Sequence, residues 1–385
     1  MRKIFCFIGS RANYSSIKSV LIEINKYPQL KLFLIVGASA VLDKYGSVDQ
    51  LIKKDGFKIY KKVFFLIEGE TPLTMSKSTG LGLIEMSSLI NEINPDIVLT
   101  IGDRFETMCA TLAAAYMNIP IAHTMGGEVS GTIDESIRHV VTKLSHIHFP
   151  ATRDAAKRIE RMGEIKENIF LVGCPRIDLV KEILKKKINN ELLNNILNQE
   201  GVGDKIDVSK PFLIVSQHPV TTEYNDSEKH IIETLKAVAQ TNLQAVILWP
   251  NPDAGSGLIS KGIRKWREKF SSNKMRFFKN LEIENYVHLM SKTICLVGNS
   301  SSGIREGAFI GVPVVNIGTR QSKREHYLNV ISSKNKAKDI FKSIMYQLRH
   351  GKYKPSIMYG NGNASKKIVK ILNKIKVNIQ KNISY

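Results

Sequence analysis

From Gly126 to His139 the chain reads Gly-Gly-Glu-Val-Ser-Gly-Thr-Ile-Asp-Glu-Ser-Ile-Arg-His. Glu128, Asp134 and Glu135 supply three carboxylates, and Arg138 and His139 add two nitrogenous groups, all within twelve residues. These residue types suit proton transfer and anion binding. Local packing gives a simpler account of part of the run. At i,i+4 spacing Asp134 stands beside Arg138 and Glu135 beside His139, which contributes only a few tenths of a kcal/mol (about 0.3) per exposed pair. That accounts for one or two of the five residues and leaves Gly126-Gly127 unexplained. Glycines there remove side-chain bulk where a ligand or another backbone comes close.

Two further loops in the first half and three in the second carry polar residues after an apolar run. Gly9-Ser10-Arg11-Ala12-Asn13 offers Arg11 to a phosphate at a helix start, or to a neighbouring carboxylate. Gly102-Asp103-Arg104-Phe105-Glu106 presents Asp103 either as a helix N-cap or as a site carboxylate, with Arg104 as a charge partner for either role. In the second half come Ser216-Gln217-His218-Pro219, Pro250-Asn251-Pro252-Asp253 and Gly298-Asn299-Ser300-Ser301-Ser302-Gly303. The serines and Gly303 at a helix N-terminus make a diphosphate cradle, since hydroxyls, backbone N–H groups and the helix dipole all favour an anion. Glu306, just beyond, can accept both hydroxyls of a ribose. Neither GxxxxGK[ST] nor GxGxxG is present, so a nucleotide is expected as the carrier part of a substrate, with no cofactor. Asp103, Glu128, His123 and His139 match no metal-binding spacing and HExxH is absent, so no metal is expected either.

The elements that must hold these loops alternate. Strands are expected at Ile4–Ile8, Leu32–Val36, Ile97–Ile101, Ile119–Ala122, Ile147–Phe149 and Ile169–Val172, with helices at Tyr14–Tyr27, Met75–Ile93, Glu106–Met117 and Ile133–Leu144. A second set has strands at Phe212–Val215, Ala245–Leu248, Met275–Phe278, Thr293–Val297 and Val314–Asn316. Its helices are expected at Ser227–Thr241, Gly257–Phe270, Ile283–Met290 and Gly303–Ile310. The α/β alternation predicts two Rossmann-like doubly wound domains facing across a cleft, with ligands at the C-terminal ends of the strands. The expected division is 1–175 for the domain with the carboxylates, 176–210 for a helical connection, 211–364 for the nucleotide-binding domain, and 365–385 for a C-terminal helix packing across both.

A length of 385 residues exceeds what one core usually serves, which agrees with two domains. The formal charge of +21 comes mostly from scattered lysines, without a zinc finger, basic zipper or RNA-binding signature, so nucleic acid is not an expected partner. Cys6, Cys109, Cys174 and Cys295 lie far apart in apolar runs with no CxxC, as reduced thiols of a cytoplasmic protein would. The apolar run after Met1-Arg2-Lys3 is interrupted too soon for an export signal, and no membrane association is expected.

The ordered blocks Gly102-Asp103-Arg104, His123 through Glu128, Gly131 through His139, Thr142 through His146, Ser216 through Thr221, Pro250 through Gly255, Gly298 through Gly303 and Tyr359 through Ser365 span nearly the whole chain. Together they resemble the hydrolysing UDP-N-acetylglucosamine 2-epimerases of sialic-acid synthesis. They also resemble relatives acting on a 2,4-diacetamido-trideoxyhexose nucleotide in legionaminic-acid synthesis. The resemblance implies a glycosyltransferase B type fold and two chemical stages. The nucleoside diphosphate and the C2 proton are eliminated to give a glycal, and water then adds to leave a free sugar inverted at C2. It implies a homodimer or homotetramer. Asp103 and Asp134 match the family's catalytic carboxylates, with Glu128 a neighbouring one, while Arg138 and His139 match its sugar and phosphate side. His218 matches the histidine of the leaving diphosphate. Arg11, Asn251, Ser300, Ser301, Ser302, Gly303 and Glu306 fall at nucleotide contacts. Met125 departs from the acidic residue common in relatives, and Asn13 and Ser16 depart from Asp and Lys.

Overall fold

The computed structural model describes residues 1–383 apart from 70, 251–252, 271–273 and 280. Its residues divide into two compact units. One comprises Met1–Val129, Ile133–Leu179 and Tyr359–Tyr385, the other Ser130–Thr132 and Val180–Met358.

The first unit holds strands β1 (Arg2–Ile8), β2 (Leu30–Gly37), β3 (Ile59–Val63), β4 (Ile97–Ile101), β5 (Ile121–Thr124) and β6 (Ile147–Phe149). They form one six-stranded sheet in the order β3-β2-β1-β4-β5-β6, every pair parallel. Runs such as Ile4–Ile8 and Ile97–Ile101 are apolar and buried throughout because helices cover both faces. Phe5, Phe33, Ile35 and Val98 from the sheet pack with Met86 and Ile90 of helix Pro72–Ile93 and Cys109 and Ala110 of helix Phe105–Tyr116. Strand order reverses between β1 and β4, so the loops after β1, β4 and β5 are neighbours.

The last helix, Ala364–Lys374, belongs to this unit. Asp178 caps it, accepting from Ala364 N at 3.0 Å, Ser365 N at 2.6 Å and Ser365 Oγ at 2.7 Å. Near its far end, Arg2 Nη1 donates to the Leu372 carbonyl at 2.6 Å. Beyond it, Lys381 reaches Glu164 at 2.7 Å, a buried carboxylate that also accepts from Lys143 at 2.6 Å and His148 Nε2 at 3.0 Å. Burial works against the Glu164 charge, but these three donors outweigh it and hold the carboxyl down at about 2.

The second unit holds β7 (Val202–Gly203), β8 (Phe212–Ser216), β9 (Gln244–Leu248), β10 (Met275–Phe278), β11 (Cys295–Gly298), β12 (Val314–Ile317) and β13 (Val330–Ser333). The order is β13-β12-β11-β8-β9-β10-β7, parallel except for the short β7 at the edge. Numbered within the unit, its six parallel strands repeat the order of the first, with the reversal between β8 and β11. The chain is thus α/β, built of two Rossmann-like doubly wound units.

Several expected elements differ. Ile169–Val172 forms no strand, only a bridge from Ile169 to His148, although Phe170 N still donates to the His148 carbonyl at 2.9 Å. β5 starts at Ile121 instead of Ile119, after Pro120, which has no N–H to give a ladder. β11 starts at Cys295 instead of Thr293, whose hydroxyl instead donates to the Phe212 carbonyl at 2.9 Å. β3, β7 and β13, and helices Val48–Lys54, Arg153–Arg161 and Ala337–His350, went unanticipated. Helix Ile133–Leu144 has the expected bounds, and helices Pro175–Lys185 and Asn190–Glu200 fill the segment rich in Lys and Asn.

Candidate active site

At the end of β4, Gly102 takes φ +68° and its N–H donates to the Thr124 carbonyl at 3.1 Å, locking the β4 and β5 exits together. His123 of β5 reaches back, Nε2 to the Gly102 carbonyl at 2.8 Å. Burial drives this imidazole down to about 3, against the pull of that carbonyl, so it is neutral at pH 7 and acts as a brace.

Arg138, fully buried on helix Ile133–Leu144, links the loops. Nη2 donates to the Asp103 carboxylate after β4, and Nη1 to the Glu128 carbonyl after β5 at 2.8 Å. Burial opposes its charge, yet Asp103, Glu128 and Asp134 together raise its pKa above the usual arginine value. A permanent cation thus sits among three carboxylates from three chain segments. The expected pair of His139 with Glu135 is present at 3.7 Å, and burial followed by Arg138 lowers the imidazole's pKa.

The structure separates the two readings of Asp103. The N-cap of helix Phe105–Tyr116 is Arg104, not Asp103, and Asp103 keeps a quarter of its side chain exposed, 24%. Arg104 pairs with buried Glu106, at 2.8 and 3.1 Å from Nε. Gly126 and Gly127 answer to the protein's own packing. A Cβ at Gly126 would lie 2.8 Å from His123 Nδ1, and one at Gly127 2.4 Å from the Ala155 carbonyl. Arg158 also donates to the Gly127 carbonyl. Met125 is buried at φ +60°, its sulfur 3.6 Å from Cys174 Sγ. Arg11 opens helix Arg11–Ile24 half-buried after the Ser10 cap, and Asn13 ties that turn to the Ile101 carbonyl at 3.4 Å.

In the second unit the loops after β8 and β11 meet at the strand-order reversal. Gly298 has φ +138°, and a Cβ there would stand 2.1 Å from the Ser216 carbonyl. That carbonyl accepts from Asn299 N at 3.1 Å and Ser300 N at 3.2 Å. Asn299 then sews on the next loop: Oδ1 accepts from His218 N at 2.7 Å and Nδ2 donates to the His218 carbonyl at 2.9 Å. Ser300 caps helix Ser301–Ile310, and Gly303 and buried Glu306 lie within it. Gly303 is needed for packing, since a Cβ would approach Val314 Cγ1 to 2.9 Å. Tyr286 Oη lies 2.6 Å from Ser302 Oγ, which is 2.9 Å from Ser300 Oγ. Asn251 lies outside the described residues. The first unit therefore gathers Asp103, Glu128, Asp134, Arg138 and His139, and the second gathers His218 with Ser300–Gly303. Asn299 and Tyr286 carried no sequence expectation of their own. Asn299 lies within the Gly298–Gly303 run, and Tyr286 looks like any core aromatic of a helix.

Residues 22–373 match the family described as UDP-N-acetylglucosamine 2-epimerase. The chain belongs to this family. A UDP-N,N'-diacetylbacillosamine 2-epimerase (hydrolyzing) of Legionella pneumophila is 33% identical over 99% of this chain and 98% of its own length. A UDP-N-acetylglucosamine 2-epimerase of Neisseria meningitidis is 31% identical over 94% of this chain and 92% of its own. Among solved structures, a Neisseria meningitidis UDP-GlcNAc 2-epimerase bound to UDP-GlcNAc shares the fold at TM-score 0.81 and 20% identity, covering 97% of this chain and 99% of that one. The fold of this nucleotide-sugar 2-epimerase family member is accordingly of the glycosyltransferase B type. Among the described residues no helix is long and apolar enough to cross a membrane.

Proposed function

We propose that the protein is a hydrolysing 2-epimerase that converts a UDP-linked 2-acetamido sugar and water to UDP and the free sugar inverted at C2. The observation that carries this reading is the buried Arg138 cation holding Asp103 beside Glu128 and Asp134. Removing an unactivated C2 proton demands a placed base, and such a constellation supplies one.

In the first stage a carboxylate takes the C2 proton, the C–H electron pair becomes the C1=C2 bond, and the C1–O bond breaks with its electrons leaving on UDP. In the second, the C1=C2 π electrons take a proton from a protonated carboxylate at C2 so that its configuration is inverted, and the oxygen of water bonds to C1 as one water O–H bond breaks and its proton passes to the other carboxylate. Asp103 and Asp134 are the proposed proton carriers, with Glu128 and His139 in support and Arg138 holding Asp103 in place. His218, Arg11 and the Ser300, Ser301, Ser302 and Gly303 helix start stabilise the charge that grows on the departing diphosphate. Glu306 takes the ribose, and Asn251 is a further nucleotide contact.

UDP-N-acetylglucosamine, giving N-acetylmannosamine, is the first substrate reading. A 2,4-diacetamido-trideoxyhexose is the second, favoured by Met125, a buried apolar residue packed on Cys174 where relatives carry an acid, and by the Legionella pneumophila relative. The test is incubation with each UDP-sugar, and the GDP-linked diacetamido sugar, in deuterated water, followed by NMR. Free UDP and a C2-inverted, C2-deuterated sugar are expected. An inverted sugar still joined to UDP would make the enzyme non-hydrolysing, and no turnover of any substrate would reduce it to a binding protein.

A further inference from the structure

We propose that Tyr286 is a positioning residue that sets the proton direction of the Ser302 and Ser300 hydroxyls toward the substrate diphosphate; this rests on the nucleotide-sugar reading above. The three oxygens form a chain from the interior outward. Tyr286, 7% exposed on helix Ile283–Lys292, lies 2.6 Å from Ser302 Oγ; Ser302, 5% exposed, lies 2.9 Å from Ser300 Oγ, and Ser300 is the half-buried end.

Each hydroxyl owns one proton, so with Ser302 accepting from one neighbour and donating to the other the chain runs either outward or inward. A phenol is a stronger acid than an aliphatic alcohol, and hence the better donor, so Tyr286 donates to Ser302 and Ser302 to Ser300. Ser300 Oγ also accepts the Ser302 N–H at 3.4 Å. With both incoming protons in place, its own hydrogen turns outward. The direction matters because the N–H groups of Asn299 and Ser300 are spent on the Ser216 carbonyl, so the hydroxyls are among the groups that meet an anion in front of the helix. If the chain ran inward, Ser300 would present lone pairs to that anion. A second observation points to an occupant that brings hydrogen-bond donors as well as its anionic part. Gln217, next to His218, and Gln321, whose Nε2 donates to the Asn299 carbonyl at 2.9 Å, are both over nine-tenths buried. Their side-chain carbonyl oxygens meet no donor among the described residues.

Tyr286→Phe removes only the phenolic hydroxyl. Calorimetric titration of the full-length protein with UDP and with uridine separates an effect on the diphosphate from one on the fold. The variant is expected to bind UDP about threefold to tenfold more weakly, the range for one lost hydrogen bond, with uridine affinity and thermal midpoint unchanged. Tyr286→Phe added to Ser302→Ala, which already breaks the chain, should cost nothing further. Equal losses for UDP and uridine, or additive losses in the double variant, would overturn the relay. Wild-type protein that binds UDP with no loss in Tyr286→Phe overturns the relay alone, whereas wild-type protein that binds no UDP overturns the functional reading with it.

Discussion

Asp103 accepts directly from the buried Arg138 guanidinium, whereas Asp134 sits half-buried one turn before Arg138 on the same helix, and this separates the consequences of neutralising them. Asp103→Asn should lower turnover by about two to four orders of magnitude and also cost about 1–3 kcal/mol of stability, because a buried cation loses its charged acceptor. Asp134→Asn should lower turnover by a comparable factor with little change in the urea midpoint, its side chain being half-buried near the helix start. Parallel kinetics and urea titrations check the contrast. Acid should weaken the fold in two windows. His123 titrates near 6.5 when unfolded and about 3 when folded, and Glu164 near 4.5 unfolded and about 2 folded. In each interval the unfolded chain binds the extra proton, so stability falls as pH falls, by up to about 1.4 kcal/mol per pH unit for each proton. Glu164→Gln should flatten the dependence below pH 4.5 and leave the His123 interval in place, as urea midpoints at graded pH will show.

Among the elements, the exits of β8 and β11 tolerate little change. Gly298→Ala forces a Cβ against the Ser216 carbonyl at a φ that only glycine adopts easily, so about 2–4 kcal/mol of stability and the binding of UDP should be lost together. Thermal unfolding with and without UDP reads both. Asp178→Ala should cost about 1–2 kcal/mol by uncapping helix Ala364–Lys374, without a direct effect on turnover. Elements with a strong period were readable from sequence, as helix Ile133–Leu144 shows, and so were the polar loops at buried strand ends. β3 was not, because Ile-Tyr-Lys-Lys-Val at a sheet edge is half-exposed and breaks the apolar run. Ile169–Val172 reads as a strand by composition but pairs through one bridge only. The two glycines at 126 and 127 were legible as close approaches, but whether a ligand or the protein's own backbone approached them was settled only by His123 and Ala155.

At the scale of the molecule, the repeated strand order was readable because each half alternates β-branched runs with helical periods. Partner atoms were not: that Arg104 pairs with Glu106, or that Asn299 joins the His218 loop, depends on side-chain directions which spacing alone does not set. The way the chain is shared out between its two units has a practical consequence for dissection. Residues 1–179 end just after Asp178, whose carboxylate caps a helix supplied by residues beyond 358, and Gly131, grouped with the second unit, donates to the Arg320 carbonyl at 2.9 Å. Neither unit is a contiguous stretch that a pair of truncations would release whole. The first should therefore behave as a split protein. Residues 1–179 alone should give a poorly dispersed NMR spectrum, and adding a synthetic peptide of residues 359–385 should restore dispersion at a one-to-one ratio.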